Sequence, residues 1–231
     1  MVLPDNTVVV DFPLRGEWFT PNTPAKRIPS HGTDMLGETY AYDFVMVDWD
    51  RKGKPFFKGS VLRHFLTGTP LAHCYGWGQG VYAPFDATVI RARDGLRERK
   101  RVHPVSDLYA VLRNASAFNA ESPDVRGLAG NHVILQSGGV FALLAHLQHG
   151  SVCVSEGQKV NAGELLGQVG HSGNSTAPHL HFQLMDSADP RTMKGFPCAF
   201  RQYEVFRDGR WQAVKNGIPS DQERFRSFQG V

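Results

Sequence analysis

The sequence predicts a mainly β fold, an antiparallel sheet or sandwich with short helices confined to loop insertions, and three observations lead to it. Runs of β-branched and aromatic residues recur along the chain, at 7–11, 40–47, 81–93, 131–136 and 140–147. Gly, Pro, Asn and Asp stand at the joints between these runs, where tight turns need them. Helix-like or irregular stretches fall only near 52–76 and 94–130. Of the 231 residues 41% are hydrophobic and 20% charged, a globular balance with enough length for a sizeable core, which excludes a disordered chain.

Taken in order, residues 7–11 read as a first strand that ends at Pro13 and leads into a Pro-rich connection beyond Trp18. Residues 40–47 read as the next strand. Gly and Pro at both ends mark 52–76 as a short helix or irregular insertion. Within it His64 and His73 have no partner at ligand spacing and are expected to be surface or packing residues. A turn at Pro84 to Asp86 divides the two β-rich halves of 81–93. In the insertion at 94–130, Ser106 or Asp107 is expected to cap a short helix. The basic run Arg97, Arg99, Lys100 and Arg101, with Asp94 and Glu98 interleaved, reads as a solvated charged loop. Residues 131–136 and 140–147 around Ser137-Gly-Gly139 read as an antiparallel hairpin. Residues 151–154 and 164–169 read as a further pair of short strands around a Gly-bearing turn. The last hairpin is 200–206 and 211–214 around Asp208-Gly-Arg210, followed by a polar tail.

Net charge is +3, too small an excess for a dedicated nucleic-acid binder. Three cysteines at wide spacing, Cys74, Cys153 and Cys198, make neither a disulfide framework nor a cysteine zinc site. No apolar run of ~18 residues occurs, so no transmembrane segment is expected, and the first residues show no basic stretch followed by an apolar one.

The functional reading centres on His179 and His181. One residue apart on a predicted strand, they project from the same face. Neutral imidazole is the commonest nitrogen ligand of zinc, and a catalytic zinc takes about three protein ligands with one position left open. The plain alternative is a His-x-His on an exposed strand face. Asp43 interrupts an aromatic strand, where Asp is depleted and costly to bury unless paired or bound to a cation. It is a candidate ligand, with His31 on the loop just upstream. The plain alternative makes Asp43 a partner of loop backbone and His31 a solvated residue. His146 falls near the end of a hairpin arm, where strand ends carry functional groups into a cleft.

Four stretches together resemble the lysostaphin-type (LytM-like) zinc metallopeptidases, over about residues 28–186. They are Val81-Tyr-Ala-Pro-Phe-Asp-Ala-Thr-Val89, Leu144-Ala-His146-Leu147, Gly157-Gln-Lys-Val-Asn-Ala-Gly-Glu-Leu-Leu-Gly-Gln-Val-Gly170 and Ser172-Gly-Asn-Ser-Thr-Ala-Pro-His-Leu-His-Phe182. The resemblance implies that His181 is a zinc ligand and that His179 and His146 are active-site residues beside the metal. The family's other two ligands come from a His-x-x-x-Asp motif, from which this chain departs: Asp34 stands three residues after His31 and Met35 four after. The family's aspartate opens an apolar strand, as Asp43 does here. His31, Asp43 and His181 are therefore the expected Zn2+ ligands, with an enlarged loop between the first two and Asp34 as the rival carboxylate.

The resemblance further implies an antiparallel sheet with a long active-site groove, lined or roofed by both insertions. The expected organisation is an N-terminal segment 1–27, a metallopeptidase domain 28–186, and a C-terminal hairpin extension 187–231 packed on that domain. The implied activity is zinc-dependent hydrolysis of peptide bonds in bacterial cell-wall peptidoglycan by a metal-activated water. His146 and His179 would serve as oxyanion donor and as general base or acid, in either assignment. The alternative is a catalytically silent member that binds or regulates a cell-wall partner. The expected partner is a peptidoglycan peptide or another peptide substrate, bound by a monomer, and the family points to the cell envelope or secretion.

Overall fold

The architecture comes from a computed structural model, in which residues 4–117 and 124–227 are described. The expectations for 1–3, for 118–123 of the second insertion and for 228–231 of the tail lie outside the described residues. In chain order the strands are β1 (Val8–Val10), β2 (Gly16–Asn22), β3 (Tyr42–Val45), β4 (Thr69–Pro70), β5 (Gly80–Tyr82), β6 (Ala87–Arg93), β7 (Arg101–Val102) and β8 (Asn131–Ser137). They continue as β9 (Val140–Leu147), β10 (Lys159–Val160), β11 (Leu165–Gln168), β12 (Leu180–Met185), β13 (Gly195–Phe196), β14 (Cys198–Arg207), β15 (Arg210–Gly217) and β16 (Phe225–Ser227). The helices are α1 (Val61–Thr67), α2 (Pro104–Ala117) and α3 (Arg126–Ala129).

Among the described residues twelve strands form one sheet, in the order β1-β14-β16-β2-β3-β12-β9-β8-β6-β10, with β13 added at β12 and β15 at β14. Its pairs are antiparallel except β1 with β14, which is parallel, so the sheet is mixed where a purely antiparallel one was expected. Two small ladders, β11-β5 and β4-β7, lie outside it. The predicted hairpins 131–147 and 200–214 are present as β8-β9 and β14-β15. In the second, Asp208 and Gly209 take positive φ of 52° and 73°, the conformation that a two-residue hairpin turn with right-handed strand twist requires.

Three segments differ from the sequence reading. Residues 16–22, read as a connection, form β2. Pro21 can sit there because the β2-β3 register is broken between Phe19 and Asn22, where no ladder donor is needed. The strand pair read at 151–154 and 164–169 does not form: 151–154 is no strand, β10 arises in the turn between them and joins β6, and β11 joins β5. The polar tail contains β16, inserted between β14 and β2. Its Phe225 is fully buried, while Arg226 pairs with Glu204 at 2.6 Å and hides the strand's apolar character in the sequence.

The core is aromatic where the two ends of the chain meet β3. Phe12 packs against Phe44, Phe200 and Phe225 with ring centroids 4.4 to 5.4 Å apart. Tyr42 is fully buried, and its hydroxyl donates to the Cys198 carbonyl at 2.8 Å, as a buried phenol requires. Side chains of this size contribute about 1.5–3 kcal/mol each on burial. All three cysteines are free, Cys74 and Cys198 buried and Cys153 exposed.

Of the insertions, 52–76 does not reach the groove described below, contrary to expectation. It rests on its own cluster of Phe57, Leu71, Cys74 and Val102. His64 is a packing residue there, bonded to Thr69 Oγ1 at 2.9 Å and stacked on Phe57, and His73 is exposed. In the second insertion the helix α2 begins at Pro104, a residue suited to the first helical position, and of the two expected capping residues Asp107 takes part, its Oδ2 accepting the His103 N–H at 2.8 Å, while Ser106 does not. The cap is His103, whose Nδ1 accepts the Val105 N–H at 3.2 Å. No described helix is long and apolar enough to cross a membrane.

Candidate active site

Three adjacent strands build the floor of the site. On β12 the side chains alternate: Leu180, Phe182 and Leu184 enter the main core, while His181, Gln183 and Met185 face a groove of about 600 Å3 on the other side. On β3, Tyr42 and Phe44 enter the same core, so Asp43 turns to the groove directly opposite His181 in the ladder. On the other flank His181 stands opposite Ala145 of β9. Strict alternation would then send His146 into the core. A bulge prevents this: Asn131 and Val133 of β8 pair with Leu147 and Leu144 of β9, leaving one extra residue on β9, and His146 takes φ +62°. A bulge re-aims one side chain, and here it delivers His146 to the groove. His179 immediately precedes β12, and His31 comes from the loop before Met35–Tyr40.

The geometry brings all five residues together. Asp43 Oδ2 lies 2.9 Å from His31 Nε2, and Oδ1 lies 3.0 Å from His181 Nδ1 and 3.4 Å from His179 Nε2. The ring of His146 is 4.6 Å from that of His179 and 5.9 Å from that of His181. Asp34 is exposed and stands outside the cluster.

The nitrogens that turn away from Asp43 are engaged too. Gln183 Nε2 donates to the Leu36 carbonyl at 2.7 Å, which fixes the amide so that Oε1 accepts from His181 Nε2 at 2.8 Å. Ser30 Oγ donates to the Glu38 carbonyl at 3.1 Å and so accepts from His31 Nδ1 at 3.0 Å. His146 Nδ1 donates to the Ser172 carbonyl at 3.0 Å, and His179 Nδ1 to the Ala177 carbonyl at 2.7 Å. Each ring therefore carries a proton on the far nitrogen and turns the other to the site. Leu36 and Glu38 belong to the enlarged loop between His31 and Asp43. Gly37 between them has φ +74°, and a Cβ there would come within 2.9 Å of Gln183 Nε2, so glycine is needed for the loop to close on β12.

Burial works against the Asp43 carboxylate, but the charge of His179 and the hydrogen bonds of His179, His181 and His31 prevail and hold it well below the usual carboxylate range. Burial likewise opposes a charged His181, yet the bond to Asp43 and its charge carry the imidazole up to about 9. His146 moves the other way: burial, then the charges of His179 and His181, push it well below the ordinary imidazole range, so it is neutral at pH 7.

The donor set fits a metal. His31, Asp43 and His181 offer three ligand atoms within 4.8 Å of one another. Two ligands on one tetrahedral zinc stand ~3.3 Å apart, given bonds of about 2.0–2.2 Å, and the 2.9 and 3.0 Å separations here are only slightly shorter. Two imidazoles and one carboxylate, each oriented from behind, are the ligand chemistry that zinc favours.

Sequence reasoning missed the groups that brace this cluster. Asn22 of β2 donates to Asp43 Oδ2 at 2.8 Å. Glu98 and Arg99, read as part of a solvated run, point inward. Arg99 Nε bonds the buried Asp107 at 2.6 Å, and its other nitrogens bond the Gly173 and Ser175 carbonyls. Glu98 accepts the Trp77 indole N–H at 3.3 Å and the His171 N–H. These contacts clamp the turn 170–178 that carries His179. The available signal is Glu98 itself, an acid interleaved in a basic run. The second insertion also reaches the groove, through Val111, Val125 and Leu128.

Residues 117–192 match the sequence profile of Peptidase family M23. The peptidoglycan DD-endopeptidase ShyA of Vibrio cholerae is 37% identical over 62 residues, a match that spans 27% of this chain and 14% of that protein's length. A zinc-containing peptidase structure from Vibrio cholerae aligns at 19% identity and a TM-score of 0.37 over 80% of this chain and 40% of that one. The catalytic domain of lysostaphin from Staphylococcus simulans aligns at 19% identity and a TM-score of 0.36 over 78% and 88%. The likeness to peptidase family M23 lies in the segment 117–192, which carries His146, His179 and His181.

Proposed function

We propose that the chain is a zinc-dependent endopeptidase acting on the peptide part of bacterial peptidoglycan. The observation that carries this reading is the meeting of His31, Asp43 and His181 at the floor of a groove with His146 and His179 beside them. The peptide substrate class rests on the family of residues 117–192 and on the activity in the name of the ShyA relative.

In this reading His31 Nε2, Asp43 and His181 Nδ1 hold the metal. A bound zinc ion supplies Lewis acidity and a water that ionises near neutral pH. The chain's own residues do the rest. His146 and His179, with their Nδ1 protons committed to backbone carbonyls, present Nε2 as an acceptor and can hold the attacking water. Once protonated, either ring can return that proton to the leaving amine or stabilise the developing oxyanion. The burial that keeps His146 neutral also makes its cation short-lived, which suits the return of a proton. The apolar groove walls keep the cluster out of bulk water and strengthen each of these interactions.

The test is incubation of the zinc-loaded chain with purified peptidoglycan and mass spectrometry of what is released. Soluble peptide fragments are expected from the parent, with rates lowered ~10²–10⁴-fold in His146→Ala and His179→Ala at unchanged zinc content. A zinc-loaded parent that binds peptidoglycan of several cross-link types and releases nothing from any of them would replace the enzyme with the silent, binding member of the family.

A further inference from the structure

The helices α1 and α2 carry their large apolar side chains on the outside. Leu62, Phe65 and Leu66 of α1 are 68%, 59% and 70% exposed, and Val105, Leu108, Tyr109 and Leu112 of α2 are 71%, 56%, 66% and 61% exposed. On α2 these four fall at the i, i+3, i+4 and i+7 spacing of a single helical face. The inward sides are occupied by His64 on α1 and by Asp107 and Ala110 on α2. The two helices adjoin. The ladder β4-β7 ties the residues after α1 to those before α2, Arg101 bonds the Thr67 and Gly68 carbonyls at 2.7 and 2.6 Å, and a Cβ on Gly68 would lie 3.1 Å from that of His103.

The exposed charges within these segments have one sign. In 58–67 and 97–113 the exposed charged residues are Lys58, Arg63, Arg97, Lys100, Arg101 and Arg113. The two acids in these segments are turned inward, Asp107 onto Arg99 and Glu98 onto Trp77 and the His171 backbone. Burying two such faces against each other would repel, which argues against a second copy as the occupant. An apolar helix face carried on segments whose exposed charges are basic has the composition of helices that lie in the interface of an anionic bilayer.

We propose that α1 and α2 together form a docking face for an anionic lipid surface. The apolar side chains enter the headgroup boundary and the basic residues meet the anionic headgroups. Because α2 also lines the groove through Val111, docking by its outer face holds the groove next to the bilayer surface. The inference is independent of zinc and of peptidase activity.

The experiment is co-sedimentation of the full chain with vesicles of phosphatidylcholine alone and of phosphatidylcholine mixed with phosphatidylglycerol, at low and high salt. Partitioning is expected to favour the mixed vesicles and to fall with salt. It should drop ~10-fold or more in Leu62→Glu/Phe65→Glu and, separately, in Leu108→Glu/Leu112→Glu. Lys100→Glu/Arg113→Glu should remove the preference for anionic vesicles. Circular dichroism and melting temperature verify that these exposed-site variants fold, and the two helix pairs can be read separately. Equal partitioning of parent and variants, or no partitioning to either vesicle, would overturn the proposal. So would a dimer of the parent, in solution without vesicles, that the same substitutions dissolve, since it would assign the face to a second copy.

Discussion

Two carboxylates in this molecule are buried beside histidines, and they are held in different ways. Asp107 accepts from Arg99 Nε at 2.6 Å and from the His103 N–H at 2.8 Å, with His171 Nε2 at 3.5 Å. Asp43 accepts from Asn22 and otherwise faces three imidazoles at the floor of a groove. Burial raises both carboxylates and their partners lower both, yet the source of the compensating charge differs. Arg99 is a permanent cation, so the Asp107 pair keeps its counter-charge at neutral and alkaline pH. The groups around Asp43 are imidazoles, which are not permanent cations, and a divalent ion can take their place as its counter-charge. A buried carboxylate whose counter-charge can leave is a site, and one whose counter-charge cannot leave is a brace.

The sharpest break in this comparison comes from deleting each carboxylate. In Asp43→Ala and in His181→Ala, zinc content is expected to fall from about one per chain to under ~0.1, whereas Asp34→Ala keeps its zinc; atomic absorption on protein purified without a tag decides it. Asp107→Ala leaves Arg99 without its partner and should cost about 3 kcal/mol in urea unfolding, while the folded fraction keeps one zinc. A destabilised Asp43→Ala combined with a zinc-free Asp107→Ala would reverse the two assignments.

Smaller changes address the orientation of the ligands. Gln183→Met removes the acceptor behind His181 at nearly constant volume, and chelator competition should show zinc affinity reduced ~10–100-fold. Gln183→Glu, which still accepts from His181 Nε2, should retain more of it. If volume alone matters, the Met variant will bind like the parent.

The smallest effect is in pH. In chelator-treated protein the His181 imidazole is carried from an unfolded value of about 6.5 up to about 9. Between those values the folded state holds the extra proton, so its contribution is complete below 6.5 and is lost as pH rises through 9. Denaturant midpoints should fall over that window, and the fall should disappear in Asp43→Asn. Asp107→Asn should leave the slope as it is, because Arg99 does not titrate there.

Much of the site was legible because its residues break local rules. Asp43 stands in an aromatic strand that otherwise has no reason to hold a charge, and the His-x-His spacing places two imidazoles together through strand alternation alone. His146 was named for its place near a strand end, but its delivery to the groove depends on a bulge against β8 that the residues of β9 do not encode by themselves. What brings Asn22 to Asp43 is a strand read as a connection because of Pro21. Glu98 and Arg99 resembled a solvated run, and Asp107 a helix cap alone, because the partners that bury them at 171–175 lie some seventy residues on. The pair read at 151–154 and 164–169 failed for the same reason, since β10 and β11 are each paired by a segment far behind them. The outward face of α1 and α2 was not anticipated, because an apolar helical stripe in a sequence ordinarily marks an inward one.

The most direct measurement is anomalous diffraction at the zinc edge from crystals of the chain grown with zinc. The expected result is one peak within about 2.0–2.2 Å of His31 Nε2, an Asp43 oxygen and His181 Nδ1. A peak ligated by Asp34, or none at this cluster in protein that carries one zinc per chain, would contradict the assignment on which the proposed chemistry rests.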